Sequence, residues 1–206
     1  MLNLSIKKAQ KILIEQNYPV ILTNGVLRED THPFDNYHQL IKVSDKWEYS
    51  LVINEKTNQP KKKEMKEFHS EAEGAMYFLL IRLSNYYSRQ FVNSPAGELP
   101  DNLSINELIE ALQKEGISKD KLRHHSKNLT GTFIYLKKVD EEHSAFSLYV
   151  NGKEQKTSIP IKNEWALNVV FDVTFLLDLF EKRLEPTLKR DNIFYEEKDI
   201  VTFVFS

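Results

Sequence analysis

Leu103-Ser104-Ile105-Asn106-Glu107-Leu108-Ile109-Glu110-Ala111-Leu112, closed by Gly116, reads as a helix with both ends marked. Ser104 and Glu107 form a capping box at its start, and Gly116 stands where a left-handed C-terminal cap belongs. Ile105, Leu108, Ile109 and Leu112 fall at i, i+3, i+4 and i+7, on one face. The opening triplet recurs: Leu4-Ser5-Ile6 stands 99 residues earlier, with Ile6, Ala9 and Leu13 on the same face. Asn17 takes the place of Gly116 there, and asparagine is the next best residue for a left-handed backbone.

After each helix and a polar connector, the chain turns to alternating segments of strand character. Tyr37, Ile41 and Val43 match Phe133, Lys137 and Val139 at an offset of 96. Trp47-Glu48-Tyr49-Ser50-Leu51-Val52-Ile53-Asn54 matches residues 144–151 at an offset of 97, pairing Tyr49, Leu51 and Ile53 with Phe146, Leu148 and Val150 as core-facing residues. Asn151-Gly152 is a two-residue hairpin signal, whereas the first copy uses the longer, proline-containing stretch 55–60. A third strand is expected in each copy, over residues 63–68 and 155–161.

A second helix closes each copy. Ser70 with Glu73 forms a capping box, Phe68 is placed as a hydrophobic staple, and Asn163 is the equivalent cap in the second copy. At an offset of 93, Met76 pairs with Val169, Leu80 with Val173, Leu83 with Leu176 and Tyr87 with Phe180, all apolar and helically spaced. The expected fold class is therefore α+β, with two tandem α-β-β-β-α units, antiparallel sheets and a C-terminal strand. The first unit is expected over residues 1–92, a breaker-rich linker over 93–102 and the second unit over 103–190. Pro186 should end the last helix. Residues 191–206 should then form an extension packed on the body, in which Ile200-Val201-Thr202-Phe203-Val204-Phe205 reads as a strand buried on both faces.

Composition narrows the function. The 206 residues carry 28 Lys plus Arg against 30 Asp plus Glu, a formal charge of -2, which is no footprint for direct nucleic-acid binding. There is no Cys, so disulfides, thiolate metal sites and Cys nucleophiles are excluded. The first 16 residues lack the apolar run and cleavage site of a signal peptide, and no segment approaches the length of a membrane span. The expected location is cytoplasmic. With six Gly, none in a phosphate-cradling pattern, and no nucleophile elbow, no cofactor is expected.

Several residues remain as candidates. His124-His125 lies in a basic connector; adjacent imidazoles make a poor chelate on a helix, Asp120 and His124 at i, i+4 could share a metal, and a solvated connector is the expected reading. Glu141 and Glu142 are a carboxylate pair of the kind that solubilises turns. Asp172 and Asp178 stand on a helix that is otherwise apolar nearly all round, so each must sit at a rim or find a partner. Tyr86 and Tyr149 are candidates for an exposed contact surface or for the seam between units. Lys61-Lys62-Lys63 and Lys137-Lys138 read as protection of sheet edges.

The stretch from Trp47 to Leu83 resembles a pattern in small bacterial immunity proteins that neutralise polymorphic toxins. A strand ending in a polar loop, here Asn54-Glu55-Lys56, is followed by Phe68-His69-Ser70-Glu71-Ala72-Glu73-Gly74-Ala75-Met76-Tyr77-Phe78-Leu79-Leu80-Ile81-Arg82-Leu83. Such proteins are about as long as one unit, so the chain looks like two fused copies. The resemblance implies a non-catalytic inhibitory binding protein in the bacterial cytoplasm, with a cognate protein toxin as partner, a nuclease among the candidates. On this reading no catalytic, cofactor or metal residues are expected, and Glu55, Tyr86, Glu141, Glu142, Tyr149, Asp172 and Asp178 are the candidate partner contacts. The alternatives are a phage or mobile-element inhibitor of a host nuclease and, further off, a hydrolase using His124 and His125.

Overall fold

The computed structural model describes residues 3–54, 60–100, 103–125 and 129–206. It is an α+β protein whose chain divides into two compact units, Met1–Leu83 with Thr187–Tyr195, and Ser84–Pro186 with Glu196–Ser206. Among the described residues no helix is long and apolar enough to cross a membrane.

The first unit starts with α1 (Ile6–Glu15) and continues through β1 (Val20–Thr23), β2 (Val26–Glu29), β3 (Tyr37–Val43), β4 (Lys46–Ile53) and β5 (Lys61–Phe68). These strands form one antiparallel sheet in sequence order. The hairpin of β1 and β2 lies where a polar connector was expected. Asn24 and Gly25 turn it at φ of 51° and 78°, and this Asn-Gly pair is the signal that reveals the hairpin in the sequence. The helix α2 (Glu71–Tyr87) follows, with Ser70 Oγ accepting from Glu73 N at 3.2 Å. Ala9, Ile12, Leu13, Leu27, Leu40, Tyr49, Phe78 and Leu79 make the core.

The second unit holds α3 (Asn93–Gly97), α4 (Ile105–Lys114), a 3-10 turn (Lys119–Lys121), β6 (Leu122–Arg123), β7 (Phe133–Lys138) and β8 (His143–Val150). β9 (Lys153–Thr157) and β10 (Ile161–Lys162) then pair in succession with β8, and β6 runs parallel to β7. The strand expected over 155–161 is thus two, because Pro160 offers no N–H to the ladder. The helix α5 (Asn163–Leu179) packs Val170, Phe171 and Leu177 into a core with Phe133, Ile134 and Leu148.

The recurrence is carried in hydrogen bonds as well as in letters. Ser5 and Ser104 cap α1 and α4 by accepting from Lys8 N and Glu107 N, each at 3.3 Å. Both helices end on the same pair of bonds, Asn17 N to Ile14 O and Tyr18 N to Leu13 O, then Gly116 N to Gln113 O and Ile117 N to Leu112 O. Asn17 and Gly116 are left-handed at φ of 61° and 76°. Tyr37 stands opposite Val52 as Phe133 stands opposite Tyr149, which is one register under offsets of 96 and 97. α2 and α5 are each 17 residues long and each runs into a five-residue π-type turn, Ser88–Val92 and Phe180–Leu184. Beyond each turn a helix continues with an early proline, Pro95 in α3 and Pro186 in α6 (Glu185–Arg190). A wider turn suits this placement, because proline cannot bond the carbonyl one turn back and its ring crowds it. These helix bounds set the offset at 92, one residue from the apolar pairing read in sequence, so Met76 corresponds to Asn168 and Leu80 to Asp172.

Four expectations are corrected. Residues 200–205 are not a strand: α7 (Glu197–Val204) is a helix closed by a capping box in which Glu196 N donates to Asp199 Oδ2 at 2.8 Å. Its Ile200, Phe203 and Val204 are buried at i, i+3 and i+4, with the Phe203 ring 5.4 Å from Phe180. The unbroken apolar run hid that period. Pro186 does not end the helical path, which continues to Arg190. The breaker-rich segment contains α3. Asn163 is not a cap; Lys162 holds that position without a side-chain bond, and the Asn163 amide is used elsewhere.

Candidate functional site

Two adjoining concavities lie in the second unit, on either side of Asn163. One is an open groove of about 380 Å³ lined by Glu141, Glu142, Lys162, Asn163 and Glu164. The other is a pocket of about 300 Å³ between Ile105, His124, His125, Leu136, Lys138, Ser144, Asn163, Ala166 and Leu167. The wall between them is pinned from both sides. Asn163 Nδ2 donates to Glu141 O at 2.8 Å, its backbone N–H donates to Glu142 O at 2.8 Å, and Ser144 Oγ donates to Asn163 Oδ1 at 2.7 Å.

A small side chain, Ser144, stands at the centre of the pocket's strand wall. In the first unit the corresponding positions are Leu40, Trp47 and Gly74, by the offsets of 96, 97 and 92. There Trp47 is 9% exposed, and a Cβ built on Gly74 would meet Leu40 Cδ1 at 2.9 Å and Trp47 Cβ at 3.3 Å, so the space is full. In the second unit Ser144 stands in the place of Trp47, and a hydroxymethyl cannot fill what an indole filled.

The imidazoles of His124 and His125 meet edge to face at 4.4 Å between centroids, over an apolar floor. Burial, and then the neighbouring His125, holds His124 below the ordinary histidine range. A hydrolase would need a nucleophile hydrogen-bonded to one of these rings, but the Ser144 hydroxyl is committed to Asn163. No group of three or more His, Asp or Glu poised for a metal occurs among the described residues.

The open groove is acidic and has an apolar edge. Lys162 Nζ lies 4.0 Å from Glu164 and 5.7 Å above the ring of Trp165, which is 59% exposed. Glu141 and Glu142 thus stand together in a concavity, with Glu164 as the third carboxylate. Trp165, read in sequence only as part of an apolar helix, faces solvent.

The other sequence candidates among the described residues line neither concavity. Glu55 lies outside the described residues. Tyr86 is half-buried with its ring 6.1 Å from Tyr87. Tyr149 stacks on Phe133 at 5.0 Å and donates to Glu154 Oε2 at 2.9 Å, so most of its surface is already used. Asp178 is buried beside Lys182, at 2.8 Å one helical turn on, as expected of an acid at a rim. Asp172 has no such partner: its Oδ1 is buried without a hydrogen bond, and burial pushes its carboxyl up to about 6.

A polar cluster that the sequence did not suggest lies in the first unit. Glu29 accepts from Tyr18 Oη, from His38 N at 2.6 Å and from Arg82 Nη1 at 3.1 Å, and His38 Nδ1 lies 3.0 Å from it. Burial alone would raise the Glu29 carboxyl, but these donors outweigh it and hold it at about 2. His38 Nδ1 also lies 2.7 Å from Arg82 Nη1. The guanidinium can only donate and the carboxylate only accept, so this one ring nitrogen satisfies one of the two, and Arg82 also reaches Glu29 directly. His38 stacks on Tyr49 at 5.5 Å, which closes the cluster against the core. Glu29 and Arg82 are 53 residues apart in the chain, which is why no local motif announces them.

Set beside known proteins, the chain matches no family model and no curated protein.

Proposed function

We propose that this chain is a non-catalytic inhibitory binding protein that neutralises a cognate bacterial toxin in the cytoplasm, a basic nuclease being the toxin class that fits best. The observation that carries this reading is the acidic groove of Glu141, Glu142 and Glu164 beside the exposed ring of Trp165. Interfaces draw most of their binding energy from a few aromatic and arginine anchors, and an exposed tryptophan at the edge of a groove is such an anchor. The carboxylates would steer a basic partner and speed its encounter without adding much to the bound state. A committed Ser144 and an absence of phosphate-cradling loops favour surface contact over catalysis.

Co-expression with the product of the adjacent gene, followed by size-exclusion chromatography and kinetic binding, tests it. The expected result is a stoichiometric complex whose association slows about 10-fold at low salt in the Glu141→Lys, Glu142→Lys variant. Trp165→Ala should weaken it by about 2 kcal/mol, roughly 30-fold, through faster dissociation. Failure to bind that product in any format would remove the proposal.

A further inference from the structure

We infer that the pocket of His124, His125, Lys138, Leu136, Ala166 and Leu167 is a binding site for a small organic monocarboxylate with an apolar body. This inference stands apart from the partner reading, since it concerns the pocket on the other side of Asn163 from the acidic groove.

The chemistry of the walls selects the ligand. The floor is aliphatic: Leu136 and Ala166 are buried, and Ile105 and Leu167 are half-buried. Of the polar lining, Ser144 and Asn163 are spent on each other and on the carbonyls of Glu141 and Glu142. The ligand therefore meets two imidazoles, each able to donate one N–H, and Lys138, the one charged residue of the lining. An acceptor carrying one negative charge complements that array, whereas a cation would meet Lys138. A dianion such as phosphate would meet too few positive groups and would feel the carboxylates of the neighbouring groove, and it would leave the aliphatic floor wet. The volume of about 300 Å³ is at the small end for ligand pockets, which suits a single ring or a short branched chain.

Comparison of the two units supplies a control. Ser144→Trp places in the second unit the residue that occupies this space in the first, where Trp47 is buried. The full chain is titrated with benzoate, benzamidine and inorganic phosphate, read by calorimetry and by the imidazole resonances of His124 and His125. Benzoate should bind with a Kd of roughly 1 mM, from nine heavy atoms at the efficiency usual for small ligands, and should shift both imidazoles. Benzamidine and phosphate should bind at least 10-fold more weakly. Ser144→Trp should abolish benzoate binding while the far-ultraviolet dichroism stays that of the parent. His125→Leu, at an exposed position, should weaken binding at least 5-fold and serves if Ser144→Trp does not fold. Equal binding of benzamidine, undiminished binding to a folded Ser144→Trp, an unchanged Kd in His125→Leu, or no imidazole shift at saturating benzoate would each overturn the assignment.

Discussion

Leu40, Trp47 and Gly74 in the first unit and Leu136, Ser144 and Ala166 in the second occupy the same places on the same framework, yet one trio is solid and the other is open. The backbone register is shared, so the difference is a matter of side-chain volume at one strand position. Gly74 shows the other half of the fit, because the indole and Leu40 leave no room for a methyl group there, whereas Ala166 carries one beside Ser144. A recurring fold can hold its hydrogen bonds constant and still turn a packed core into a pocket by changing side-chain volume at two facing positions.

The sharpest way to break this comparison is to make the first unit resemble the second. Trp47→Ser should destabilise the protein by about 3–5 kcal/mol, the usual cost of emptying an aromatic site in a core that cannot collapse, as read by urea denaturation. A cost below about 1 kcal/mol would mean that the indole does not fill the space.

The two units also differ in buried charge. Around α2 the acid is clamped by donors; on α5 the corresponding arginine position holds Thr174, whose hydroxyl is buried without a partner, and the nearby Asp172 has an unpaired oxygen. The Ile134 position answers to His38, so the imidazole and the guanidinium of the clamp are not repeated at these positions. Opposite pH responses follow. Glu29, held at about 2 against an ordinary 4.5, contributes stability that is present above about pH 5 and is lost as the pH falls toward 2. That amounts to about 3 kcal/mol, and Glu29→Gln should flatten the acid limb of the stability curve.

Asp172 works the other way. Its folded value of about 6 lies above the ordinary 3.8, so the protein is most stable with respect to this group below pH 3.8 and loses that advantage as the pH rises to about 6. Asp172→Asn should therefore stabilise the chain by about 1–2 kcal/mol at pH 7.5 and leave it unchanged at pH 3, measured by thermal unfolding at both. Gain at pH 3 as well would point to packing rather than ionisation.

The smallest effect sharpens the recurrence itself. Ser5→Ala and Ser104→Ala should each cost about 1 kcal/mol, and the second should cost slightly more, because Glu107 returns a bond to Ser104 N at 2.8 Å. Helix content by hydrogen exchange across α1 and α4 would read the two caps separately.

How much was legible follows from how local each feature is. The caps at Ser5, Ser104, Asn17 and Gly116 are short-range, and they were readable from letters alone. The hairpin at Asn24-Gly25 is equally local, but the polar residues around it mask its strand character. Residues 200–205 suit a strand as well as α7, since an apolar run satisfies a strand and a buried helix face alike; the capping box of Glu196 and Asp199 is the discriminating mark. Of the partner candidates, Glu141 and Glu142 were drawn together with Glu164, while Trp165 was missed because exposure on a mostly apolar helix has no signature in sequence.

The amino-acid sequence by itself determined the α+β class, the ends of α1 and α4 at Ser5, Asn17, Ser104 and Gly116, and the Asn151-Gly152 hairpin, because those depend on backbone preferences and hydrogen bonds between residues close along the chain. The pocket, the clamp on Glu29 and the stranded Asp172 were decided only by tertiary structure. Each depends on which side chains, distant in sequence, fill or fail to fill a shared space, and close packing makes that outcome turn on single atoms.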